Sequence, residues 1–129
     1  MSDLLDQGAA AIAAAVRTGK AKARDVAEAA IARVEARNKD LTAIVDFNPA
    51  EARTAADAVD ARRRQGFDGP ILGVPYTVKD TTWVAGRRVT NGSLLYKDFI
   101  PPRDALAVER LKNAGGVFLG MTNTPEMAA

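Results

Sequence analysis

The chain has no cysteine and no histidine in 129 residues. Without cysteine there is no disulfide framework and no thiolate to act as nucleophile or ligand. Without histidine the commonest acid–base group and metal ligand is missing too, so catalysis would fall to Lys, Ser, Asp, Glu or Tyr. Aromatic residues make up 5% of a chain that is 47% hydrophobic. The core is therefore expected to pack closely through small side chains, alanine above all, with little large-ring burial to stabilise it. Neither sign of charge is in real excess: 18 basic residues face 16 acidic ones, leaving +2. That is no field for nucleic acid. No apolar run approaches the roughly 20 residues of a membrane span, and Met1-Ser-Asp-Leu-Leu-Asp6 carries acids where a signal peptide carries positive charge. A cytoplasmic protein with no membrane partner is the expectation. Asn91-Gly-Ser93 has the form of a glycosylation acceptor, but in that setting it reads as a turn, since Asn-Gly readily takes positive φ.

What is present alternates helix and strand. Leu5, Ile12 and Val16 recur at helical spacing, predicting one opening helix capped by Ser2 and stopped near Gly19. A second helix is expected from about Arg24 to Arg37, with Val26, Ala27, Ala30, Ile31 and Val34 as its apolar stripe. It begins Lys20-Ala-Lys-Ala-Arg24, so its first turn is expected to lack a side-chain acceptor. Leu41 to Phe47 suits a strand, and Asn48-Pro49 supplies a cap and a first-turn proline for a third helix through about Arg64. Arg62-Arg63-Arg64 reads as a complement to that helix's C-terminal dipole, with a phosphate patch as the alternative. Val74 to Lys79 alternates as a strand, with Val74, Tyr76 and Val78 on one face and Thr77 with Lys79 on the other. Asp104 is placed to cap a helix carrying Leu106, Val108 and Leu111, ended by Gly115-Gly116, and Val117 to Met121 reads as a buried strand. A strand, a helical connection and a second strand form a crossover unit that favours parallel pairing.

The predicted architecture is thus α/β, with helices on an incomplete, mainly parallel sheet. One domain is expected over 1–129, with 1–65 a helical opening holding one short strand and 66–129 the lysine-bearing strand and its crossover. Val117 to Met121 has the character of a central strand whose neighbours the sequence does not identify.

A lysine acting as general base must release its proton near neutrality, which requires burial or a neighbouring positive charge and a serine within reach. Lys79 sits at a strand end behind a Gly/Pro-rich approach. Taken alone, Val78-Lys79-Asp80 is also readable as a solvated charge pair.

Five segments together carry more information than any one of them: Gly69-Pro-Ile-Leu-Gly-Val-Pro75, Val78-Lys79-Asp80, Thr90-Asn-Gly-Ser93, Arg103-Asp-Ala105 and Gly120-Met-Thr-Asn-Thr-Pro-Glu126. In combination they resemble the amidase signature family. The stretches Ile31 to Asn38 and Leu41 to Ile44 look like that family's opening, so the resemblance covers nearly the whole chain. It implies the N-terminal part of the amidase-signature fold, a small-molecule amide as substrate, no metal or other cofactor, and a Ser-cisSer-Lys mechanism. Lys79 matches the catalytic lysine. The two serines of the family lie in a Gly/Ser-rich segment beyond these residues, and neither Ser2 nor Ser93 matches them; Ser93 reads as a turn hydroxyl. Asn123 and Met127 are candidates for the substrate pocket, against the simpler reading of a helix-entry turn and a core filler. Asp80 is a candidate support for Lys79 by hydrogen bonding, although adjacent strand residues point to opposite faces.

Three functional readings follow. The first is the opening segment of an amidase, inactive alone, whose partner would be the missing C-terminal remainder. The second is part of the amidase-signature subunit of a transfer-RNA-dependent amidotransferase. The third is a truncated, non-catalytic interaction module stabilised by self-association, motivated by an exposed edge at Val117 to Met121 and unpaired apolar helix faces.

Overall fold

A computed structural model describes residues 2–129, with side chains from residue 3 onward. The opening segment is two helices, not the expected one: α1 (Ser2–Asp6) and α2 (Ala9–Arg17) are separated at Gly8, whose φ of 91° no helix accommodates. The apolar spacing reads through this break because Leu4 and Leu5 pack on the same core as Ile12, Ala13 and Val16. The expected Ser2 cap involves a side chain outside those described.

Helix α3 (Ala23–Leu41) runs four residues past Arg37 before Thr42 turns left-handed at φ 50°. Near its end Asn38 brackets the next strand. Its Nδ2 donates to the Ile44 carbonyl at 2.8 Å, and its Oδ1 accepts the Ile44 N–H at 2.8 Å. Strand β1 (Ile44–Phe47) accordingly starts three residues later than expected. Helix α4 (Pro49–Arg64) begins as predicted, with the Asn48 side chain accepting the Glu51 N–H and proline in the first turn.

The expected gap in the cap of α3 is filled from a distance. Lys22 at the N-cap offers no side-chain acceptor, but the buried carboxylate of Asp60, on α4, accepts the N–H groups of Ala23 at 2.9 Å and Arg24 at 3.0 Å. The interface below this bond is built from Ala27, Ala30, Ala52 and Ala56, all buried, so the two helices approach closely through small side chains as the composition implied. At the other end of α4, the Arg62 guanidinium stacks on Phe67 at 3.7 Å from the ring centre, which occupies one arginine of the candidate phosphate patch.

Strand β2 (Pro75–Lys79), helix α5 (Leu106–Asn113) and strand β3 (Val117–Thr122) form the crossover unit, with β2 and β3 parallel. Sheet order is β1–β3–β2, and β1 is antiparallel to β3. The sheet is therefore mixed. Val117 to Met121 is its central strand, paired on both sides, and the edges are β1 and β2. This removes the exposed edge that motivated the interaction-module reading. A strand between the first two long helices was legible in the sequence, but its pairing with the last strand is a long-range contact that no local pattern records.

Asp104 does not cap α5. Ala105 is the N-cap residue, while the Asp104 carboxylate accepts the Ala85 N–H at 2.8 Å and pairs with Lys112 at 2.6 Å. Helices cover both faces of the sheet: Val74, Val117 and Leu119 pack toward α2, α3 and α4, and Val78 and Met121 pack with Val84, Val89 and Val108 of α5 and the preceding loop. Full burial of Ile31, Leu72 and Met121 contributes about 1.5–3 kcal/mol each. No helix among the described residues is long and apolar enough to cross a membrane.

Candidate active site

The ends of β2 and β3 lie side by side, with Lys79 in register with Thr122. Burial alternates along β2 as a strand of period two requires: Thr77 and Lys79 are exposed, Val78 and Asp80 buried. The strand stops at Lys79 because its carbonyl accepts two N–H groups from the following turn, Thr81 at 2.7 Å and Thr82 at 3.0 Å. Among the described residues the Lys79 ammonium has neither a hydrogen-bonding nor an ion-pair partner. Its side chain is exposed at the end of β2.

Asp80 does not support Lys79 directly. Its carboxylate, 5% exposed, faces the other way and accepts both the Thr90 N–H, at 2.8 Å, and the Thr90 hydroxyl. Its own N–H donates to the Thr122 carbonyl at 3.0 Å, and its carbonyl accepts the Asn91 N–H at 2.9 Å. One residue thus joins the ends of both strands to the Thr90–Ser93 turn.

That turn needs its glycine. Asn91 and Gly92 both have positive φ, 52° and 66°, and a Cβ on Gly92 would lie 2.9 Å from the carbonyl oxygens of Thr124 and Pro125. The close approach is held by two more bonds. Ser93 Oγ donates to Glu126 at 2.9 Å, and the Met127 N–H donates to the Asn91 carbonyl at 2.7 Å. Ser93 also accepts the Leu95 N–H at 3.4 Å, as a turn hydroxyl would, so its oxygen serves structure here. Three sequence segments separated by up to 47 positions, ending at Asp80, Ser93 and Met127, are brought into one place.

Of the two candidate pocket residues, Asn123 lines a shallow cleft of ≈ 150 Å³ together with Val45, Asp46, Arg88 and Thr90. Its amide is engaged there, with Nδ2 donating to the Thr42 carbonyl at 3.2 Å and Oδ1 accepting the Thr124 N–H at 2.9 Å. Met127 lies outside the cleft, 56% exposed, with φ 54°. Neither touches Lys79 by any hydrogen bond among the described residues. Sequence reasoning did not connect Thr90 with Asp80 or Ser93 with Glu126. All four stood inside motifs, but the two bonds span 10 and 33 residues and leave no local pattern.

The Amidase family model matches residues 25–129. Over 119 residues the chain is 42% identical to a glutamyl-tRNA(Gln) amidotransferase subunit of Alkalilimnicola ehrlichii, covering 92% of this chain and 25% of that protein. It is also 42% identical over 118 residues to an acylamidase of Rhodococcus erythropolis, covering 89% of this chain and 24% of that one. Among solved structures, the native peptide amidase of Stenotrophomonas maltophilia superposes with a TM-score of 0.88 at 32% identity, over 98% of this chain and 26% of that one. The chain thus spans about a quarter of the length of the relatives it matches.

Proposed function

Because this chain belongs to the amidase signature family, we propose that it is the lysine-bearing opening segment of an amidase, which hydrolyses a carboxamide to a carboxylate and an amine or ammonia. The observation that carries this reading is the position of Lys79: it closes β2 with its ammonium unpartnered, beside a turn and a chain segment that Asp80 and Glu126 lock in place. A complete site adds a nucleophilic serine and a bridging serine. In that reading the bridging serine takes the nucleophile's proton and passes its own to Lys79 as the nucleophile attacks the amide carbon. Collapse of the tetrahedral adduct breaks the C–N bond, the proton returns to the leaving nitrogen, and water then releases the acyl group by the reverse relay.

Residues 1–129 alone do not complete such a site. Their serines are Ser2 and Ser93, and the Ser93 hydroxyl donates to Glu126. Loss of the nucleophile from a catalytic unit of this kind costs on the order of a million-fold in rate. The test is ammonia release from simple carboxamides by the full-length protein and by residues 1–129 separately. Activity in the first and none in the second is expected; Lys79-dependent turnover by the short chain refutes the reading.

A second reading is supported by equal identity, 42%, to an acylamidase and to a glutamyl-tRNA(Gln) amidotransferase. Glutamine hydrolysis that requires misacylated transfer RNA would place the full-length protein in the amidotransferase class. Turnover of free amides without RNA would place it with the stand-alone amidases.

A further inference from the structure

We infer that Asp80 is a positioning residue for the Lys79 site, acting through Thr90 and, beyond it, through the bond from Ser93 to Glu126; this rests on the amidase reading above. A carboxylate at 5% exposure is costly to keep charged unless its surroundings supply strong partners. Asp80 has no ion-pair partner among the described residues, and its carboxylate is satisfied by the N–H and hydroxyl of Thr90. For stability alone, an apolar residue would fill this position at lower cost. What the carboxylate adds is direction. It fixes where the Thr90–Ser93 turn sits relative to the end of β2, and the turn in turn fixes the segment after β3 through Glu126 and the Met127 N–H.

Lys79 needs such a device. It is the last residue of β2, where the ladder gives way to a turn, and its side chain leaves on the face opposite to Asp80. With the main chain of Asp80 bonded to Thr122 and Asn91, the backbone carrying the ammonium is anchored immediately after Lys79. Proton transfer depends on sub-ångström placement, and misplacement by about 1 Å costs on the order of 100-fold.

The test uses the full-length protein with Asp80→Asn, which puts an amide donor in place of one acceptor oxygen, Thr90→Val, which removes the hydroxyl and keeps the shape, and Thr90→Ser as the conservative control. Expected are kcat losses of about 10- to 100-fold for the first two with KM within about twofold, and kcat within about threefold of the parent for Thr90→Ser. Backbone amide exchange in the same proteins should show Thr90, Asn91 and Met127 losing protection while α3 keeps its own. Unchanged kcat in Asp80→Asn and Thr90→Val, or equal damage in Thr90→Ser and Thr90→Val, overturns the proposal. If the parent is inactive, or Lys79→Ala is as active as the parent, it is the amidase reading that fails. The exchange pattern then decides the clamp by itself, and unchanged protection in Asp80→Asn refutes it.

Discussion

Replacing Asp60 by alanine should destabilise the fold far more than its place on a surface helix implies. The carboxylate accepts two backbone N–H groups at the start of α3, from Ala23, which is fully buried, and Arg24, which is partly so. Alanine leaves the Ala23 donor buried with no acceptor, which costs about 1–3 kcal/mol. The Arg24 donor is reached by water in part, so its loss is that of an ordinary cap, about 1 kcal/mol. Removing a negative charge from a helix N-terminus adds about 0.3–1 kcal/mol. Some of this is offset because a buried carboxylate no longer has to be desolvated, and we expect a net loss of about 3 kcal/mol. Against the roughly 5–15 kcal/mol typical of whole domains, that is a large share. Asp60→Asn keeps one acceptor oxygen and should lose about half as much. Urea unfolding followed by far-ultraviolet circular dichroism gives both values, provided the slope with denaturant stays constant. A loss below about 1 kcal/mol for alanine, or no difference between asparagine and alanine, would refute the reasoning.

Glu28 receives hydrogen bonds from Arg53 and Arg24, in that order of effect, which hold its carboxyl at about 2, down from 4.5. A depressed carboxylate contributes stability above its unfolded value and loses it as pH falls, here between about 4.5 and 2. The difference in Tm between the parent and Glu28→Gln should therefore be present at about pH 5, shrink toward about pH 2, and narrow in about 1 M salt because the group is solvent-facing; a pH-independent gap would contradict this. Burial, then the neighbouring Asp104 charge, pushes the Tyr76 phenol up to about 12. Below about pH 10 both states keep the proton and stability is unaffected; between about 10 and 12 only the folded state holds it, so this contribution is lost as pH climbs through that window. The phenolate absorbance lost in Tyr76→Phe should titrate near 12, and titration near 10 would contradict the burial argument. Gly92→Ala puts a Cβ against two carbonyl oxygens in a left-handed conformation, costing about 1–2 kcal/mol for the conformation alone, and should speed exchange of the Met127 amide. Unaltered exchange there would show that the turn is not clamped.

The parts of the fold legible in the sequence were those set by neighbours in the chain. Asn48-Pro49 announced α4, the Val26 to Val34 stripe announced α3, and the alternation around Val78 announced β2 with Lys79 on its exposed face. What escaped was long-range. The Asp60 cap comes from 37 positions away, and β1 joins β3 across more than 70. The break at Gly8 was hidden because both helices feed one core, so the apolar spacing survives the turn between them. At the site, family resemblance singled out Lys79, whereas the bonds of Asp80 to Thr90 and of Ser93 to Glu126 became visible only once three motifs met in space. Adjacency in sequence made Asp80 a candidate partner for Lys79, and the strand's own period of two sent its side chain elsewhere.

The proposed chemistry turns on Lys79, and kcat/KM of the full-length protein with Lys79→Ala, measured on a simple carboxamide, tests it most directly. Loss of at least about 10⁴-fold, with the far-ultraviolet spectrum unchanged, is the expected result. Retention of activity within about tenfold of the parent would mean that the lysine at the end of β2 is a solvated surface charge and that the chemistry lies elsewhere.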